Sequence, residues 1–311
     1  MTDKKIRFII SRNSGKQSIY IHMMDKIRKA YKHLPKLNVV VTKRENHIVE
    51  LAKEWADRYG EDGIVYVLGG DGGASEAANA LYKTDTYMGL IPTGTGNDFA
   101  KTLYGPGDVS EELLDELIAN SSDPKFGKVD LLKMNDQVVS LNVISMGFDT
   151  IILKRAYKNL DKCKRLGNFA YPLAFLQSLF KDKSFEVEYY FENPEGESIQ
   201  DRVDATILAV GNGQYYGSGF RPTFKAEIDD GLADFVYADK LSVAEVIPLI
   251  SKYRDGSYYP HPKVTYFQFN KGYIENISDK QILANFDGRI FNLDRLEIEV
   301  LPKALNFAYL K

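Results

Sequence analysis

Two short stretches of this chain concentrate groups that could handle a phosphate. Val67 to Gly73 reads VLGGDGG: an apolar run from Ile64 ends in glycines, with Asp71 the one ionisable residue among them. A good helix former follows from Ala74. Strand, glycine turn and helix is the order that sets bare backbone N–H groups and a helix N-terminus against an anion. Glycine permits the close approach of backbone to ligand. A carboxylate inside such a cradle repels phosphate unless a metal ion or a proton transfer requires it. The plainer alternative is a tight turn in which Asp71 caps the helix that follows, a role Asp fills well. The second stretch, PTGTGND from Pro92 to Asp98, is rich in glycine and hydroxyls and ends in another carboxylate.

The elements that must position these loops follow from hydrophobic periodicity. Ile6 to Ile10, Leu37 to Val41, Ile64 to Leu68 and Met88 to Ile91 read as buried strands. Helical spacing over Ser18 to His33, at Ile48, Leu51, Ala52 and Trp55, and from Ala74 separates them. Alternating strands and helices predict a parallel sheet covered on both faces, with ligands beyond the carboxyl ends of the strands. The loops SRNSG, GGDGG and PTGTGND all fall at that edge. From about Lys125 the texture changes to short strand-like segments, such as SFEVEYYFE and VDATILAVGN, divided by turns. Helical stretches at Ile151 to Leu179 and Val243 to Tyr253 interrupt them. The expected architecture is an α/β domain over residues 1–124, then an antiparallel β-sandwich over 125–295, with 296–311 returning to the first domain.

Composition narrows the function classes. A formal net charge of −3 over 311 residues gives nucleic-acid binding no electrostatic support. One cysteine, Cys163, excludes an internal disulfide and any cysteine-based metal cluster, which fits a reducing cytoplasm. His22, His33, His47 and His261 show no metal-ligand spacing. No apolar run is long enough to span a bilayer, and the first residues lack a signal-peptide pattern.

Several ordered motifs resemble the diacylglycerol kinase catalytic-domain family of bacterial lipid kinases, related to sphingosine and NAD kinases. They are GGDG at Gly69 to Gly72, GTGNDFAKTL at Gly94 to Leu103, KVDLLK at Lys128 to Lys133, LNVISMGFD at Leu141 to Asp149, GNGQYYGSGFRP at Gly211 to Pro222, and DDGLAD at Asp229 to Asp234. The resemblance implies phosphoryl transfer from ATP, with Mg²⁺, to a lipid hydroxyl, in a cleft between the two domains. It implies nucleotide contacts from Asn13, Ser14, Gly15, Thr42, Gly69, Gly70, Asp71, Gly72, Gly73, Ser75, Glu76, Thr95 and Asn97. It further implies a carboxylate network of Asp71, Asp98 and Asp130 around Mg²⁺, and a separate metal site at Asp230, Glu227 and Leu232.

Four positions depart from the family pattern. Gly73 stands where the family has Thr, and Ser75 where it has Asn. The N-P-x-S-G loop reads Ser11-Arg12-Asn13-Ser14-Gly15. The D-G-E motif reads Asp287-Gly288-Arg289, and arginine, always protonated, cannot act as the family's general base. That leaves Asp287 or Asp71 as base. Two alternatives stay open beside the lipid kinase: a diverged nucleotide- or lipid-binding regulator, and a kinase of a soluble metabolite such as NAD. Lys154, Arg155, Lys158, Lys162, Lys164 and Arg165 precede the apolar stretch LGNFAYPLAFLQSLF. This is either a solvated helix face before a core helix or a site for anionic lipid. The expected protein is cytoplasmic, touches the membrane surface to reach its substrate, and has its oligomeric state open, a homodimer included.

Overall fold

The structure, a computed structural model, describes residues 3–12, 19–32, 38–135, 138–180, 184–279, 281–287 and 289–311. The first domain runs β1 Lys5–Ile10, α1 Ile19–Ala30, β2 Asn38–Val41, α2 His47–Tyr59 and β3 Gly63–Gly69. It continues α3 Asp71–Leu81, β4 Tyr87–Pro92, α4 Asp98–Tyr104 and α5 Glu111–Asn120. Its strands pair in parallel in the order β2-β1-β3-β4. Strand periodicity divides the side chains between two cores. Ile9, Val65 and Val67 pack with α2 and α3, whereas Phe8, Ile64, Tyr66 and Leu68 pack with α1 and α5. Central β3 is buried along its whole length.

The second domain opens with β5 Lys125–Met134, β6 Val138–Ser140, β7 Val143–Gly147, α6 Phe148–Lys162 and α7 Ala170–Ser178. Then come β8 Phe185–Glu192, β9 Ser198–Gly211, β10 Ala233–Asp239, α8 Val243–Asp255 and β11 Val264–Phe269. The chain ends β12 Lys271–Asn276, β13 Ile282–Phe286, β14 Arg289–Leu293 and β15 Arg295–Tyr309. Pairing here is antiparallel, and the strands close a core rich in aromatics, including Tyr189, Phe191, Phe235 and Phe269. The architecture is thus a parallel α/β domain followed by an antiparallel sandwich. No helix among the described residues is long and apolar enough to cross a bilayer.

β15 belongs to both halves. It pairs with β12 of the sandwich, runs against β5 from Ile298 to Tyr309, and meets β4 at Phe307↔Met88. A register shift between Leu301 and Leu305, with Lys303 at φ 51°, bends it from one sheet toward the other.

Three local expectations change. The helix after β3 begins at Asp71, not Ala74, because the Ala74 N–H already bonds the Gly70 carbonyl at 3.0 Å. Gly70 and Gly94 bring two loops into contact: a Cβ on Gly94 would lie 2.4 Å from Gly70 Cα. The helical stretch after β7 starts at Phe148 and breaks at Gly167, φ 49°, so α6 and α7 form a hairpin. β13 and β14 were absent from the expected strands. Their signal is Asp287-Gly288, a two-residue turn between alternating apolar residues.

Asn79 of α3 fastens the domains together. Its amide donates to Val139 O at 2.7 Å and accepts from Val139 N at 2.9 Å, so α3 docks on β6 as an added strand edge would. Asn79→Ala leaves both Val139 groups unpaired and should cost about 2 kcal/mol in urea unfolding. A loss below about 0.5 kcal/mol would show that water replaces the tie.

Candidate active site

Three segments meet at the N-terminus of α3. Gly70 is its N-cap and Asp71, Gly72 and Gly73 form its first turn, which leaves their N–H groups without intrahelical partners. Gly69 ends β3, and its carbonyl accepts from Thr93 N at 2.9 Å. Asp71 does not cap its own helix. Its Oδ1 accepts from Phe99 N at 2.9 Å and so caps α4. Glycine at 96 lets the carboxylates converge: a Cβ there would stand 3.0 Å from Asp71 Oδ2 and 3.3 Å from Asp98 Oδ2. Asp98 Oδ2 accepts from Ser218 N of the sandwich at 2.9 Å, and Lys101 Nζ lies 3.3 Å from Asp98 Oδ1 while also donating to Gly96 O. Burial pushes the Asp98 carboxyl up and the Asp71 charge adds to it, against the Ser218 N–H and Lys101.

The third segment is the β13–β14 hairpin, reaching over from the sandwich. Asp287 sits at its turn with φ 48°, and its Oδ2 is shielded from solvent with no hydrogen-bond partner among the described residues. Burial pushes this carboxyl up to about 7. The Ser75 hydroxyl facing it and the Arg289 charge oppose the rise, and Asp71 adds to it. Arg289 also faces Glu76, whose carboxyl burial holds above its ordinary value. Four carboxylates thus share one cleft with a helix N-terminus, Lys101 and Arg289.

The remaining expected residues divide. Thr42 is buried and its Oγ1 accepts from Arg12 N at 2.9 Å, which holds the loop after β1. Asn13, Ser14 and Gly15 of that loop lie outside the described residues. Thr95 is exposed at the loop tip. The Asn97 side chain closes its own loop, exchanging hydrogen bonds with Gly94 N and O at 2.9 and 2.8 Å. Asp130 is fully buried. Its two oxygens accept from Gly231 N at 2.6 Å and Lys303 N at 2.5 Å, so it ties the Asp229-Asp230-Gly231 turn to the bend in β15. Burial pushes its carboxyl up and the Asp229 charge adds to it, against the two backbone N–H groups and the Lys303 charge. Among the described residues no group of three or more His, Cys, Asp or Glu is set to hold a metal ion. Asp230 Oδ1 accepts from Leu232 N at 2.9 Å, and the Asp130 and Glu227 charges add to the upward push of burial on its carboxyl.

Two family profiles divide the chain as its architecture does. The diacylglycerol kinase catalytic domain matches residues 5–131, and the YegS C-terminal NAD kinase β-sandwich-like domain matches 142–309. The chain belongs to the diacylglycerol kinase catalytic-domain family. A diacylglycerol kinase of Staphylococcus aureus is 26% identical over 290 residues, 92% of this chain and 86% of that one. A protein of Enterobacter sp. named "Probable lipid kinase YegS-like" is 28% identical over 244 residues, 76% of this chain and 75% of its own. The fold matches the crystal structure of a diacylglycerol kinase from Bacillus anthracis with TM-score 0.70 at 20% identity, covering 99% and 98% of the two chains.

Within this family of lipid kinases, the departures acquire physical reasons. A Cβ on Gly73 would meet Ile48 Cδ1 at 3.2 Å, so a Thr here must displace the α2 side chain. Ser75 is short enough to sit under Asp287. Sequence reading gave Ser218 and Lys101 no role: Ser218 reaches Asp98 only by folding, whereas Lys101 lies three residues on from Asp98 in one helix and was legible as a local pair. Ser218 at φ 67° between two positive-φ glycines was the available signal.

Asp287 couples the site to pH. With its folded pKa at about 7, the folded chain keeps a proton that the unfolded chain releases near pH 4. This group's contribution to stability therefore falls as pH rises across that window. Asp287→Asn is neutral throughout and should exceed the parent by about 4 kcal/mol at pH 8 while nearly matching it at pH 4. Equal unfolding midpoints at both pH values would show that Asp287 ionises freely.

Proposed function

We propose that the protein is an ATP-dependent lipid kinase, transferring the γ-phosphoryl group to a hydroxyl of a diacylglycerol-like acceptor. The observation that carries this reading is the meeting of Asp287, from the sandwich, with the open N-terminus of α3. An anion cradle and a carboxyl poised near neutrality face one another across the domain boundary. Phosphoryl transfer needs chiefly positioning and charge neutralisation. The free N–H groups of Asp71, Gly72 and Gly73 supply donors to phosphate oxygens. Asp287 takes the proton of the acceptor hydroxyl. Arg289 cannot do so, but its fixed charge beside Glu76 and Asp287 can grip the transferring group.

The residues present fit Mg²⁺, which binds one or two carboxylates and completes its shell with phosphates and water. Asp71 and Asp98 turn oxygens toward one point beside Gly96, and their mutual repulsion is what a cation there would relieve. Bound there, the metal would neutralise charge on the phosphates. The acceptor's apolar part has a candidate seat in a half-open cavity of about 80 Å³ under α8, lined by Phe148, Ile207, Leu241, Leu249, Ile250 and Val264. It has room for the end of one chain.

Labelled ATP, Mg²⁺ and a total lipid extract should yield a labelled lipid. Asp71→Asn and Asp287→Asn should each slow its formation by about 100-fold or more. Absence of product across diacylglycerols, monoacylglycerols, long-chain bases and prenols, with ATP binding intact by calorimetry, would favour the regulatory alternative. Product formed without any lipid would favour a soluble acceptor.

A further inference from the structure

The cavity under α8 has apolar walls, but where Phe148 and Tyr253 line it a set of polar atoms begins. Asp149 follows Phe148 in the first turn of α6. Its Oδ2 and the Tyr253 hydroxyl are shut off from solvent, and neither has a hydrogen-bond partner among the described residues. The Tyr216 hydroxyl faces both groups. Burial pushes the Asp149 carboxyl up, against the Ser145 and Tyr216 hydroxyls that face it. Burial, and after it the Asp149 charge, also holds Tyr253 protonated.

The polar set continues to the cleft. Ser145 Oγ accepts from Asn285 Nδ2 at 3.4 Å across the β7–β13 pairing. Asn285 is 7% exposed, yet its Oδ1 has no partner among the described residues, and Asp287 Oδ2, two residues on, shares that lack. On the other side, Tyr216 lies two residues before Ser218, whose N–H binds Asp98. Buried polar atoms are nearly always hydrogen-bonded. Tyr253, Asp149, Asn285 and Asp287 instead leave open atoms in succession from the cavity to the cleft. Apolar walls with a few convergent polar groups are the make-up of a small-molecule site.

The donors select the ligand. A neutral carboxyl and a phenol each offer an O–H, which suits an uncharged acceptor oxygen such as an ester carbonyl. We propose that Asp149 and Tyr253 form a subsite for the ester carbonyl of a glycerolipid, with the carbonyl end of its acyl chain in the cavity and its free hydroxyl at Asp287. This rests on the lipid-kinase reading and narrows it to ester-linked acceptors. The competing occupant is a long-chain base. Its ammonium would need Asp149 ionised, which burial disfavours.

Calorimetry on the full chain without nucleotide compares dioctanoylglycerol with its dioctyl ether analogue and with sphingosine. The ester should bind about 10-fold more tightly than the ether. Asp149→Leu and Tyr253→Phe should each remove most of that preference, whereas Asp149→Asn, which keeps a donor, should retain it to within about 3-fold. Tyr253→Phe deletes one unpartnered oxygen and should melt no lower than the parent, so it serves even if the Asp149 variants fold poorly. With ATP and Mg²⁺ present, the loss should fall on KM for the ester more than on kcat. Equal affinity of the parent for ester and ether, or a preference that Tyr253→Phe leaves intact, overturns the proposal. So does tight sphingosine binding that Asp149→Asn abolishes, which would put an ammonium at Asp149. Ester binding as expected, but no phosphorylation of any acceptor, would keep the subsite and remove the kinase reading. Phosphorylation of ester and ether at equal KM would keep the kinase and remove the subsite.

Discussion

The long antiparallel pairing of β5 with β15 is the constraint on which the rest of the structure depends. Both strands run from the sandwich into the parallel sheet, and the bend at Lys303 sets the angle between the halves. Asp130 fixes that bend by accepting from both Gly231 N and Lys303 N. With the domains held in this way, small polar contacts can cross between them. Asn79 meets Val139, Thr102 Oγ1 accepts from Gln214 N at 3.0 Å, and Asp98 accepts from Ser218 N. Each contact is worth little alone. Together they place the α3 N-terminus, α4 and the β13–β14 turn around one cleft.

That cleft is an electrostatic compromise. Asp71, Asp98, Glu76 and Asp287 gather where burial penalises charge, and the carboxyls of Asp98, Glu76 and Asp287 are all held above their ordinary values. The opposing positive groups are the α3 N-terminus, Lys101 and Arg289. A site with this balance lacks cationic charge until a metal and a polyanionic ligand arrive together, which is the arrangement Mg-nucleotide chemistry uses. Arg289, where the family's D-G-E motif has Glu, adds one cation to the balance and leaves Asp287 as the hairpin's buried carboxyl.

Much of the architecture was legible in the residues. Strand runs ending in glycine, and the shift from alternating helix and strand to short strands near Lys125, predict a parallel domain followed by an antiparallel one. Such patterns are local, and burial of one face imposes them on the sequence itself. The hairpin around Asp287 escaped because its strands, Ile282–Phe286 and Arg289–Leu293, are only five residues each, although the Asp-Gly turn was there to be read. The apolar α7 stretch read equally well as a core helix or a lipid contact, since composition does not say which neighbours cover a face.

What the sequence by itself determined is which groups are candidates for the chemistry: the glycine loops, Asp71, Asp98 and Asp287. These follow from residue type and spacing, because phosphate cradles need glycine and helix starts in fixed order. Only the tertiary structure decided which carboxylates face one another. It brought Asp287 to Ser75 and Asp71, and it gave Asp98 the Ser218 N–H. It turned Asp130 away to the β15 bend and folded the Asn97 amide back onto Gly94. Carboxylates distant in sequence interact through space and burial, and both are set by how the two sheets share a strand.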